Sequence, residues 1–95
     1  MSHHITVTEF SIRYAFSLSA VNARHEKKLT QEELAAQVHT SRRWLQLIES
    51  GKRMPGFCLA INLIIVLEID PATLIQEMIN QVKREASSDV SVSSR

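Results

Sequence analysis

Residues 38–46 read VHTSRRWLQ, with Arg42, Arg43 and Trp44 directly after the polar tripeptide His39-Thr40-Ser41. A guanidinium is permanently charged and carries its N–H donors in a planar fork, so it suits phosphate or another planar acceptor pair. Two such groups side by side, opening a helix whose opposite face holds Leu45 and Ile48, point away from the body of the protein. Other chemistries find no matching pattern. His3, His4, His25 and His39 share no joint metal-ligand spacing, so no metal is expected. Ser19, His25 and Glu49 fall in helical segments without a nucleophile turn or an oxyanion site, so neither catalysis nor a cofactor is expected. Cys58 is the only cysteine, which excludes a disulfide or a Cys-type zinc site within the chain and reads as a small hydrophobe.

Charge is distributed to match the arginine pair. Residues 21–56 set Arg24, Lys27, Lys28, Arg42, Arg43, Lys52 and Arg53 against Glu26, Glu32, Glu33 and Glu49. Residues 57–90 reverse the balance, with Lys83 and Arg84 against Glu68, Asp70, Glu77, Glu85 and Asp89. The net charge of the whole chain is only +1, so this asymmetry is the informative quantity. A basic half can face a polyanion while the acidic half faces away.

The elements that must position these groups are helical. A chain of 95 residues, 44% hydrophobic, with two glycines and two prolines, favours one small all-α domain. Thr6 with Glu9, or Thr8 alone, can cap a first helix running to about Glu26, with Phe16, Ala20 and Ala23 as its apolar stripe. Thr30 and Glu33 form a capping box for a short second helix. "HTS" interrupts it, Ser41 or Thr40 caps the third, and Gly51 ends that one in the left-handed region. Pro55-Gly56 opens a fourth helix to about Leu67, and Asp70-Pro71 opens a fifth. The serine-rich end from Ser87 suits disorder, and the alternation in "ITVTE" and "DVSVS" would also suit short strands. The expected organisation is an extension over residues 1–7, a domain over 8–86 and a disordered tail over 87–95. The run "FCLAINLIIVLEI" is too short to cross a membrane and no signal pattern opens the chain, so a cytoplasmic protein is expected.

Only about three residues separate the second and third helices, which forces a sharp crossing with Ala35 as the small contact. From these residues, "LTQEELAAQVHTSRRWLQLIESGKRMP" resembles the helix-turn-helix of the phage Cro/cI repressor family, often called XRE-type. The matching features are Leu29-Thr30-Gln31, Leu34-Ala35, Ser41, Leu45, Ile48-Glu49, Gly51 and Pro55. The resemblance implies a lambda-repressor-like five-helix bundle with an extended N-terminal segment. It implies that Ser41, Arg42, Arg43, Gln46 and Leu47 face the bases of double-stranded DNA. Gln31, Lys52 and Arg53 then match positions on the DNA backbone. Arg24 and Glu49 match a structural pair that ties the first helix to the third. Arg43 is the foremost candidate for a guanine contact, Arg42 can read a base or grip a phosphate, and Gln46 suits adenine. Trp44 has two readings, an indole N–H on a phosphate or a packing residue.

The pattern departs from the family where His39 stands at a turn position usually held by glycine. Ala20 and Ala23 are smaller than usual, so other side chains, Tyr14 among the candidates, must close the packing. The fourth helix is apolar nearly all round and the fifth adds further apolar side chains. A homodimer through Leu59, Ile65, Ile75, Met78 and Ile79 would cover them, unless the first helix does so instead. The expected function is a dimeric transcriptional regulator on an inverted-repeat operator, either repressor or autoregulator, including the restriction–modification controller type. An antitoxin and a protein-interaction module without DNA binding are the alternatives. A toxin or RNA polymerase is a further conceivable partner.

Overall fold

Five helices follow one another in the computed structural model: α1 (Ser2–Glu26), α2 (Gln31–Gln37), α3 (Arg42–Glu49), α4 (Phe57–Leu67) and α5 (Pro71–Ser93). It describes the backbone of residues 2–93 and the side chains of residues 9–86. The described residues contain no strand.

Helices α2 and α3 each start on a side-chain cap and end next to a left-handed residue. Thr30 accepts from the Glu33 N–H at 3.0 Å while Glu33 accepts from the Thr30 N–H at 2.9 Å, completing the capping box. Ser41 accepts from the Trp44 N–H at 3.0 Å and so is the cap of α3. Asp70 accepts from both the backbone and the hydroxyl of Thr73 at the start of α5. These bonds hold the Asp70 carboxyl below its ordinary pKa. Caps such as those of Thr30 and Ser41 are worth about 1 kcal/mol each. Helix α4 starts one residue later than the Pro55-Gly56 signal suggests, because Gly56 is its N-cap and Pro55 stays outside.

The four turns that follow α1 to α4 share one geometry. Lys28, His39, Gly51 and Glu68 all lie near φ +60° to +80°. In each, the left-handed residue and its successor donate back to the last turn of the helix, as His39 N does to Ala36 and Thr40 N to Ala35. This is the Schellman arrangement. Glycine meets the requirement only at position 51, so the other three sites hold some backbone strain, about 1 kcal/mol each.

The core gathers one face from every helix. Phe16, Ala20, Leu34, Ala35, Val38, Leu45, Ile48, Leu63, Leu67 and Leu74 are buried together. Ala35 is buried at the crossing of α2 and α3, where a larger side chain would hold the helices apart. Ala20 is fully buried in this cluster, whereas Tyr14 is exposed and stacks on Phe10 instead. The small helix-one residues are therefore closed over by the core leucines and not by Tyr14.

Three sequence expectations change. Helix α1 starts at Ser2, not at Thr6 or Thr8, and α5 continues to Ser93 where a disordered tail from residue 87 was expected. Neither α1 nor α5 beyond Pro71 contains a glycine or proline to stop it, and backbone propagation past a packed segment is favourable. Met1, Ser94 and Arg95 lie outside the described residues. The alternating segments "ITVTE" and "DVSVS" are helical within the described range. Cys58 is exposed, because α4 turns Leu63 and Leu67 inward and leaves the Phe57, Cys58, Ile61 and Ile65 side facing out.

Candidate nucleic-acid interface

Helix α3 is strongly two-faced. Leu45 and Ile48 are fully buried, which fixes its rotation. Arg42, Arg43 and Gln46 are consequently exposed, and Lys52 and Arg53 follow in the exposed turn. Ser41 is exposed too, but its oxygen accepts the cap bond, leaving its hydroxyl proton available. Leu47 is half-buried, and its carbonyl oxygen accepts from the N–H groups of Lys52 and Arg53. Trp44 is half-buried and packs on the edge of the core, so its ring has a packing role whatever the indole N–H does.

A polar relay braces this surface from behind. Arg24 Nε donates to Glu49 Oε2 at 2.7 Å and its second terminal nitrogen to Oε1 at 3.1 Å. The third guanidinium nitrogen donates to the Leu29 carbonyl at 2.8 Å. The pair expected from sequence is present, bidentate and largely buried, with side-chain exposures of 11% and 6%. Glu49 Oε1 also accepts from Gln31 Nε2 at 2.9 Å, and Gln31 Oε1 accepts from Gln46 Nε2 at 3.3 Å.

The direction of the relay follows from charge. A carboxylate can only accept, so Gln31 must turn its amide nitrogen to Glu49 and its oxygen to Gln46. Gln46 must then answer with its own nitrogen. That leaves the Gln46 carbonyl oxygen and a second N–H pointing outward, an acceptor beside a donor. Gln31 is therefore engaged at both ends, and its first role here is to orient Gln46. Sequence spacing did not show this, because residues 31, 46 and 49 sit on two helices. The only sequence signal was the presence of two amides near one buried ion pair.

Arg42 has a second environment. It lines, with Arg24, Thr30, Gln31 and Glu32, an open concavity of about 400 Å³ between α2 and the start of α3. Arg43 lies outside that concavity. The two arginines thus differ, one leaning toward the N-terminus of α2 and the other standing free on the outer face of α3.

A further tie was invisible in the sequence. Arg13 Nε donates to the Gly51 carbonyl at 3.1 Å, joining α1 to the turn after α3. The Ser17 hydroxyl, one helical turn on, lies 3.7 Å from where a β-carbon on Gly51 would stand.

The surface expected to pair with a second copy is apolar and open. Ile65 is 65% exposed and Ile75 52%, with Ile79 also exposed. Leu59 and Met78 are partly buried against the core instead. Helix α1 packs along α5, as the alternative reading held, yet it leaves Ile75 and Ile79 uncovered. Ile12 of α1 and Ile75, Met78, Ile79 and Val82 of α5 line a groove of about 410 Å³. No group of His, Cys, Asp or Glu among the described residues could hold a metal ion. No helix among them is long and apolar enough to cross a membrane.

Comparison with known proteins agrees with this geometry. The helix-turn-helix family matches residues 22–74. No curated protein matches the chain. The fold is similar to that of the clp gene regulator ClgR from Corynebacterium glutamicum, at 20% identity and a TM-score of 0.68, over 87% of this chain and 88% of that one. It is also similar to the restriction-modification controller protein C.Esp1396I, solved as a tetramer on its natural 35 base-pair operator. That match has 22% identity and a TM-score of 0.62, over 75% of this chain and 93% of the controller. A mutant of the same controller matches at 21% identity with the same TM-score, over 75% and 95% of the two chains.

Proposed function

The chain belongs to the helix-turn-helix family of DNA-binding transcription regulators, and from that premise we propose that it reads an inverted-repeat operator as a homodimer, acting as a repressor or autoregulator. The observation that carries this reading is the outward face of α3. Its apolar side is locked, so Arg42, Arg43 and Gln46 must leave the body together. Arg43 forks onto guanine O6 and N7. Gln46, held by Gln31, offers its acceptor and donor to the N6 and N7 edge of adenine. Ser41 and Leu47 flank these contacts in the groove. Arg42, leaning toward Gln31 at the start of α2, grips a phosphate or the adjoining base, and Lys52, Arg53 and the Trp44 indole N–H hold the backbone.

Pairing through α5 and the outer face of α4 supplies the symmetry. Ile65, Ile75 and Ile79 form its exposed apolar centre, with Leu59 and Met78 beneath. Two-fold related copies place their recognition helices about 34 Å apart, one turn of the duplex. A controller-type role is favoured by the compact likeness to C.Esp1396I, which this chain matches over most of that protein's length.

Selection from random DNA followed by titration tests the reading. Arg43→Ala should cost about 1–3 kcal/mol on the selected site and relax one base position per half-site. Lys52→Ala should weaken all sequences alike and lower the salt slope by roughly one. Equal losses for Arg43→Ala on selected and scrambled DNA would make Arg43 a phosphate clamp and move base reading to Arg42, Gln46 or Ser41. Failure to enrich any sequence would end the proposal.

A further inference from the structure

The bond from Arg13 to Gly51 joins parts of the molecule with different tasks. Arg13 lies before the segment 22–74 that defines the family match. Gly51 carries the left-handed turn that delivers Lys52 and Arg53. The two residues are far apart in sequence, and the bond is partly buried. Among the described residues no carboxylate lies within ion-pair distance of the Arg13 guanidinium, so the backbone carbonyl is the partner the structure gives it. Among the described residues, the other hydrogen bonds of the turn run to α3's own end. Lys52 N and Arg53 N both donate to the Leu47 carbonyl, at 3.0 and 3.3 Å, and Gly51 N donates to Ile48. Those bonds shape the turn but do not tie it to another element.

We propose that Arg13 is a positioning residue: its Nε–H, on the Gly51 carbonyl, holds the turn so that Lys52 and Arg53 meet the DNA backbone. This rests on the reading of Lys52 and Arg53 as backbone contacts. The opposite side of the same helical turn is anchored on α5, where Tyr14, Ala15 and Leu18 line one cleft with Glu77 and Arg84, and Ser19 Oγ donates to Glu77 at 3.3 Å. Helix α1 therefore acts as a strut between α5 and the phosphate-facing turn. Arg13 itself touches no DNA; its contribution passes through Lys52 and Arg53.

Glutamine separates hydrogen bonding from charge at this site. Its amide nitrogen stands the same number of bonds from the backbone as arginine Nε, so Arg13→Gln can keep the donor to Gly51 while removing the cation. Arg13→Leu removes both. Two readouts are made on the full chain, with helical content and melting checked for each variant. In the absence of DNA, amide hydrogen exchange at Lys52, Arg53 and Met54 should quicken severalfold in Arg13→Leu and stay near wild type in Arg13→Gln. On the selected operator and on scrambled DNA, Arg13→Leu should weaken binding by one common factor, about threefold to tenfold for one hydrogen bond, with a lower salt slope. Arg13→Gln should bind nearly as wild type. With Lys52→Ala and Arg53→Ala already in place, Arg13→Leu should cost nothing more.

If Arg13→Gln loses as much affinity as Arg13→Leu, or if the loss persists without Lys52 and Arg53, Arg13 is a direct phosphate contact and the positioning role is overturned. Unchanged exchange at the turn in Arg13→Leu overturns it as well. Wild-type protein that binds no DNA would instead overturn the functional reading on which this role rests, a result the exchange experiment cannot mimic.

Discussion

Removing Glu49 tests the relay and the reading head together. The Arg24 and Glu49 side chains are 11% and 6% exposed, so solvent screens the pair little. Glu49→Ala leaves Arg24 with one remaining carbonyl partner, Leu29, and leaves the Gln31 amide nitrogen without its acceptor. Breaking a buried pair by deleting one member costs about 3–5 kcal/mol, and the surviving Leu29 bond places this case near the lower end, about 3 kcal/mol. For a domain of this size each kcal/mol lowers the melting temperature by about 4–8 °C, so a drop of about 12–24 °C is expected in calorimetry or circular dichroism. An exposed pair would give about 0–1 kcal/mol and at most a few degrees. Arg24→Ala and the double variant complete a cycle, and the double should lose less than the sum of the singles by about 1 kcal/mol or more. A second consequence concerns DNA. Without Glu49 to set the direction of Gln31, Gln46 is free to turn its amide over, and preference at the base it reads should weaken while phosphate-driven affinity persists. A melting temperature lowered by less than about 4 °C would refute the burial argument. A strong drop with base preference intact at that position would spare the ion pair and refute the relay.

Two other outcomes are expected. Ile79→Asp or Ile75→Asp, placing a carboxylate in the open apolar surface of α5, should give a monomer in sedimentation with much weaker operator binding; wild-type protein that sediments as a monomer at tens of micromolar, on the order expected for moderate dimers, would remove the interface. Asp70 accepts two bonds from Thr73 that hold its folded pKa below the ordinary value of 3.8, so the unfolded chain takes up the proton first. Its stabilisation is then present above that value and fades as pH falls through the lowered one, so melting temperature should fall less steeply below about pH 4 in Asp70→Asn than in wild type, and identical slopes would show that the cap does not titrate in this range.

How legible this molecule was depends on the range over which each feature is written. The caps were local and could be read directly. Thr30 with Glu33, Ser41, and Asp70 before Pro71 each announce a helix within four residues, and the structure has all three. The face of α3 was equally local, because burial of Leu45 and Ile48 leaves Arg42 and Arg43 no inward rotation. The helix ends were harder. Only Gly51 carries the residue type that marks a left-handed turn; Lys28 and Glu68 take the same conformation with no such mark, and His39 was identifiable only through the resemblance. The rotation of α4 was not legible, because the helix is apolar on nearly every side, and a residue's type then says nothing about which side turns inward; Cys58 lies on the exposed side. The ties least visible in the sequence cross the chain: Arg13 to Gly51, and Gln31 between Glu49 and Gln46. Polar side chains on separate helices obey no period, so only the packed core decides whether they meet. Those ties are also what turns an exposed pair of arginines into an oriented surface. Base-edge recognition needs donors held within a few tenths of an ångström, and helix α3, eight residues long, is too short to be held rigidly by its own hydrogen bonds. Arg24 with Glu49 behind it, Gln31 beside it and Arg13 beneath its final turn supply the rigidity that its sequence does not contain.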